Sequence, residues 1–256
     1  MARRWADEPF ALIPIDSIKS DSPVTLWMAR QMGSSHNNIL RVLNSMYNQA
    51  PYVKKEDDQR DLLELTLFWI DWIDNLHRAE ETILFPLIGE VTGGPNIMEA
   101  NIQQHEAFQP GFDKLQEYAT ACLDPSESAV SFNAEQYVNL VDAFVYEFRQ
   151  HLVDEVASFA AIDVAGDEAT ERALKKAYVD FDAQMRAESD KNKMLPMVLG
   201  SSDTEFEGGA HFWPEVPAWA RYMVHHYFER RYRNVWRLLP SDTWGRRREL
   251  AFGPSR

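Results

Sequence analysis

The chain has 256 residues and a mass of 29.6 kDa, with 45% hydrophobic and 12% aromatic residues against 11 Gly and 13 Pro. It therefore carries enough apolar side chain for a packed core and is neither collagen-like nor low-complexity. Forty acidic residues against 26 basic ones give a net charge of −14, which repels nucleic acid and anionic membranes at long range.

The imbalance is uneven. Residues 211–256 hold nine Arg and four acids, whereas residues 1–210 hold 17 basic and 36 acidic side chains; the end of the chain is expected to lie as a basic strap on an acidic body. The start, MARRWADEPFALIPIDS, does not read as a signal peptide, because Asp7, Glu8 and Pro9 precede its short apolar patch. The most apolar stretch, LLELTLFWIDWI, is broken by Glu64 and Asp71. The one cysteine, Cys122, cannot close an intramolecular disulfide. A cytoplasmic protein with no membrane or nucleic-acid partner is expected.

Apolar spacing is helical nearly everywhere. A first helix is predicted over 24–48, with Met32, His36, Ile39, Leu43 and Tyr47 on one stripe. A second covers 59–90 and aligns Trp69, Ile73, His77, Glu81, Leu84 and Ile88 before VTGGPN stops it. The third, 96–122, carries Asn101, His105, Phe108, Phe112 and Leu115, and Pro110-Gly111 is expected to kink or interrupt it. The segment DPSES leads to a fourth, 134–163, with Tyr137, Phe144, Phe148, His151, Glu155 and Phe159 in line. Long helices with short connections predict an all-α, antiparallel four-helix bundle over residues 20–165. Residues 166–256 read as an extension packed on it: a helix over 167–188, a looped stretch over 195–217, and a last helix over about 216–238.

Titratable groups on core stripes need a reason, because burying an unpaired charge is costly. His36, His77, Glu81, His105, His151 and Glu155 all fall there. Two of the four helices repeat His-x-x-x-Glu, HRAEE at 77–81 and HLVDE at 151–155, a spacing that sets both side chains on one helix face. Residues level with one another in an antiparallel hairpin are equidistant from the turn. The midpoints of His36 with His77, His77 with His105, and His105 with His151 fall at 56–57, 91 and 128, in or beside the predicted connections. Four histidines would thus meet at one level. A lone His precedes each His-x-x-x-Glu by 41 and 46 residues, so two half-sites would present four imidazoles and two carboxylates to a pair of metals. Iron, manganese or zinc suits such mixed ligation, and with no cysteine among these residues iron–sulfur chemistry is excluded.

With these residues in view, the sequence resembles the hemerythrin-like, or HHE cation-binding, family. HRAEETILFPLI is similar to the family's second-helix motif, and the LPMVLG and WGRR segments are similar to extensions of fungal members. The resemblance implies a non-haem centre of two iron ions, Fe2+ or Fe3+, oxo- or hydroxo-bridged, with manganese or zinc as the alternatives. It assigns His36, His77, His105 and His151 as terminal ligands and Glu81 and Glu155 as bridges. Oxygen-carrying members use a fifth histidine where Asn101 stands, and their second bridging acid follows its histidine by five residues rather than four. Six protein ligands leave more open positions, which favours a reactive site over reversible carriage.

Other groups read more plainly. Glu80, Glu106 and Asp154 lie about 100° off the stripe and are expected in solvent or as hydrogen-bonding neighbours of the ligands. The aromatic stripe is core, Tyr118 and Tyr146 are ordinary, and His211, His225 and His226 belong to the surface or packing of the extension. No Glu-x-x-His or His-Glu-x-x-His motif is present, which sets aside ferritin-like and zinc-protease sites. The function expected first is binding of iron and dioxygen at this site, with di-iron oxidation of a small organic substrate and a metal-stabilised interaction module as the alternatives.

Overall fold

The computed structural model describes residues 5–124, 126 and 130–254; most of the DPSES connection lies outside the described residues. Among those described there is no strand, only an isolated bridge between Ser241 and Arg247.

Helix α1, Pro23–Gln49, starts at Ser22, whose hydroxyl accepts from the Val24 amide, with Pro23 supplying the preset first-turn geometry. Helix α2, Glu56–Ala79, opens on three acids that suit its positive end. Its last turn widens to a π-helix over Glu80–Leu84 and resumes as α3, Phe85–Thr92, which Gly93 ends in the left-handed conformation at φ 71°. Pro86 accounts for the widening. It lacks the amide that would bond Thr82, and its ring would strike that carbonyl in an α-helix.

Helix α4, Glu99–Leu123, runs through Pro110 without interruption. The break expected there falls instead in the facing chain, where the predicted fourth helix divides into α5, Ala134–Asp142, and α6, Val145–Ala160. Packing explains the exchange. A Cβ on Gly111 would meet Phe144 Cβ at 2.4 Å, so the glycine lets α4 approach the Ala143–Phe144 joint closely.

Helices α1, α2, α4 and α6 form a ring in which α1 neighbours α6 and α2, and α4 closes the far side. Helix α7, Glu168–Glu188, lies against α1, α3 and the π turn. Helix α8, Lys191–Gly200, contradicts the expected loop at LPMVLG: the Asp190 side chain caps its Asn192 amide, and Met197 and Leu199 are buried. The predicted last helix is also divided, into α9, Ala218–His226, and α10, Arg233–Trp236, with a short 3₁₀ turn at Phe228–Arg230 between them. That division turns Tyr232 and Trp236 onto Phe68 of α2, with ring centroids 4.8 and 5.8 Å away.

Twenty of the 27 residues of α1 are buried. Its inner face joins the bundle core, and its polar outer face captures backbone from both ends of the chain. Asn37 exchanges two hydrogen bonds with Ile13. Asn44 does the same with Phe10 and also donates to the Ala6 carbonyl. Asn38 donates to the Val198 carbonyl at 2.9 Å, and Gln49 donates to Leu238 O and accepts from the Phe252 amide. The amide side chains of Asn37, Asn38, Asn44 and Gln49 are thereby satisfied.

Candidate metal centre

The ring of helices brings His36 from α1, His77 from α2, His105 from α4, and His151 with Glu155 from α6 to one level, all of them buried. Ring nitrogens of His77, His105 and His151 come within 4.8 Å of one another. His36 joins through Glu155, whose Oε2 lies 3.2 Å from His36 Nε2 and 3.7 Å from His151 Nε2.

Three of the rings are aimed from outside by acceptors at Nδ1. His36 donates to the Leu152 carbonyl at 2.9 Å, His151 to Gln104 Oε1 at 3.2 Å, and His105 to Glu81 Oε1 at 2.6 Å. These acceptors assign the Nδ1–H tautomer and leave each Nε2 lone pair facing inward. Asp154 in turn accepts from Gln104 and Gln150, the neighbouring role expected for it, and Glu106 is exposed.

The two glutamates at the end of α2 differ from expectation. Glu80 is fully buried with neither carboxylate oxygen hydrogen-bonded, 3.9 Å from His105 Nε2. The Glu81 side chain is 37% exposed and bonds the outer nitrogen of His105. At about 100° per residue the positions three and four after His77 flank it on opposite sides of the stripe, so the spacing admits either. The π turn beginning at Glu80 and the packing of α7 against that turn put Glu80 inside.

Electrostatics at the centre follow from burial. Burial, then the neighbouring imidazoles, hold His77 well below its ordinary value, and burial brings His151 down to about 3, so both are neutral rings with a free lone pair. Burial beside Glu155 and Glu81 raises Glu80 well above the usual carboxylate range. Burial also works against ionised Glu155, but His36 at 3.2 Å and the imidazoles of His151 and His105 hold it below its ordinary value.

Groups that could hold a cation leave specific marks when no other partner satisfies them. His105 Nε2 and His151 Nε2 face each other at 3.1 Å, and with both rings protonated at Nδ1 two lone pairs meet there. His36 Nε2, both His77 nitrogens and all four carboxylate oxygens of Glu80 and Glu155 are buried without a hydrogen-bond partner. Leaving so many orphaned polar atoms costs about 1–3 kcal/mol each, and metal coordination removes that cost.

Aromatic rings line the rest. Phe108 contacts His77, His105 and His151 at 5.4–6.0 Å, and Phe85 lies 6.2 Å from His105. Beyond Phe108, Phe148, Phe112 and Trp69 stack as a dry plug. Asn101 is buried on the same face as His105, one turn earlier, with its Oδ1 unpartnered.

The remaining sequence candidates lie elsewhere. His211 pairs with Asp16 at 2.6 Å, and His225 of α9 pairs with Glu229 of the 3₁₀ turn. Tyr146 is 75% exposed, and the Tyr118 hydroxyl is locked to the backbone of Asn133. Sequence reading missed Tyr178 of α7. It is buried, its ring packs on Trp27 and Phe159, and burial together with the charges of Glu80 and Glu155 pushes its ionisation upward. Leu174, Tyr178 and Phe181 mark a buried stripe on α7, but nothing in the sequence says which bundle face that stripe covers.

A helical bundle enclosing a histidine–carboxylate cluster is a metal-cation-binding architecture. Residues 28–162 match the hemerythrin HHE cation-binding domain, and the chain belongs to that family. It is 33% identical, over 99% of its own length and 95% of the relative's, to the dimeric xanthone biosynthesis cluster protein R11 of Cryptosporiopsis sp. (strain 8999). No solved structure matches. No helix among the described residues is long and apolar enough to cross a membrane.

Proposed function

We propose that this protein is a di-iron oxidoreductase of small-molecule biosynthesis. His36, His77, His105, His151, Glu80 and Glu155 would hold the two ions, with Glu81 orienting His105 from outside. One observation carries the reading: inward-facing imidazole lone pairs and four orphaned carboxylate oxygens converge in a sealed, aromatic-lined centre. Imidazole with carboxylate is the donor mixture that iron accepts while keeping positions open. Bound iron supplies one-electron redox chemistry and a seat for dioxygen. The protein's own residues do the rest. Leu152 O, Gln104 and Glu81 fix the ring orientations. Phe108 and its neighbours would exclude water, and Glu80, which burial favours in its protonated form, would give up that proton on becoming a ligand.

Oxidation is favoured over reversible carriage by two points: Asn101 stands where carriers place a fifth histidine, and the relative is named for a biosynthesis cluster. The test is protein purified anaerobically, assayed for iron and then exposed to oxygen. Close to two irons per chain and rapid irreversible oxidation are expected, with iron lost in His77→Ala. A charge-transfer band that vanishes on deoxygenation would establish carriage instead.

A further inference from the structure

An apolar cavity of about 400 Å³ lies between the bundle and the extension, within the roughly 300–1,000 Å³ range of small-molecule pockets. Its inner wall comes from α1, α2 and α7: Met32, Ser35, Leu76 and Tyr178. Ser35 and Leu76 immediately precede His36 and His77, and α7, which carries Tyr178, packs against the π turn that begins at Glu80. The cavity and the metal centre therefore share a wall. Its outer part is built by α8, α9 and the loop before α9, where Trp213, Trp219, Met194 and Met223 join Trp72 and Met185. Trp219 is 69% exposed and Met223 40% exposed, which places the open side at α9. The charged residues on this wall are few: Asp182 and Arg186 pair with each other, leaving Lys191.

We propose that this cavity is the binding site of a planar aromatic molecule of two or three fused rings, held with one edge towards the metal centre. As a substrate site it rests on the oxidoreductase reading above; as a pocket it stands on its own lining. Three indoles and the Tyr178 ring offer faces for stacking, and flexible thioethers adapt to ring edges. The few polar groups suit a ligand whose own polar atoms lie at its periphery. A long acyl chain would gain nothing specific from this arrangement.

The probe is 1,8-dihydroxyanthraquinone, measured by equilibrium dialysis against the full chain, iron-loaded and metal-free. Wild type is expected to retain the arene in both states. Ala220→Trp, which fills the cavity from α9, is expected to weaken retention at least about tenfold with iron content and unfolding temperature unchanged. Should Ala220→Trp fail to fold, Trp219→Ala at the open side serves, with about threefold or greater weakening expected. Equal retention by the folded variant, or displacement of the arene by dodecanoate at equal concentration, would overturn the proposal. Retention by a chain that takes up no iron would uphold the pocket and sink the oxidoreductase reading; iron without retention would do the reverse.

Discussion

Glu80 and Glu81 are adjacent and chemically identical, yet the fold gives them opposite tasks. Glu80 is sealed with unpartnered oxygens, whereas Glu81 reaches past the rim to the outer nitrogen of His105. Substituting a group that only orients a ligand costs about 10–100-fold in metal affinity, so Glu81→Gln is expected to weaken iron binding within that range. Glu80→Gln removes donor and charge together and is expected to weaken it further, as chelator competition would show. Equal losses would refute the division.

The same carboxyl shapes the pH response of metal-free protein. His77 and His151 are neutral when folded, so each takes up a proton on unfolding below its ordinary value of 6.5, and stability falls as pH drops from there. Glu80 has the opposite sign. Folded, it keeps its proton well above the ordinary 4.5, so unfolding releases that proton and stability falls as pH rises towards the folded value. Among these three groups the two histidines outweigh the carboxyl below 6.5, and only the carboxyl lowers stability above it. Thermal unfolding of chelator-treated protein between about pH 4 and 9 is expected to peak near 6.5, and iron is expected to abolish the alkaline limb. A flat alkaline limb without metal would show Glu80 ionised. Sequence spacing made the four histidines and Glu155 legible, because periodicity reports which stripe a residue occupies. It could not separate Glu80 from Glu81, since that choice depends on a one-turn change of helix type and on a neighbour more than 80 residues away.

The elements were legible where their ends carry local chemistry and illegible where tertiary contact overrides it. Ser22-Pro23 starts α1 and Gly93 stops α3 much as their propensities dictate. Pro110-Gly111, by contrast, marks a close approach between helices rather than an end, and the facing chain breaks at Phe144. Gly111→Ala would push a methyl group into Phe144, which is itself buried, and overpacking of this kind costs about 1–3 kcal/mol. A lowered denaturant midpoint with an unchanged slope is the expected result. No change would mean that the α5–α6 joint yields freely.

Across the whole molecule, the uneven charge resolves into two kinds of contact. Arg237 holds Asp58 and Asp61 at the start of α2 at 2.6 and 2.5 Å, a partly exposed clamp of basic tail on acidic bundle. Arg41 is buried, with Asp7 and Asp203 at 3.6 and 3.9 Å and a hydrogen bond to Asn38. Arg237→Ala is expected to cost about 1 kcal/mol or less and to lose that effect in high salt. Arg41→Ala removes a buried cation from Asp203, leaving Arg247 as its remaining partner, and is expected to cost more than Arg237→Ala, with little dependence on salt. Urea unfolding at two ionic strengths separates them. Net charge foretold the clamp, but not that α1 itself would be the surface on which both chain ends fasten.

That fastening bears on how the protein is made. Synthesis delivers α1 early, yet Gln49 does not meet the Phe252 amide until 203 further residues have followed. Until then, Asn38, Ser45 and Gln49 face water in place of Val198 and Leu238. On the ribosome the polar face of α1 therefore stays uncovered until nearly all of these partner segments have emerged.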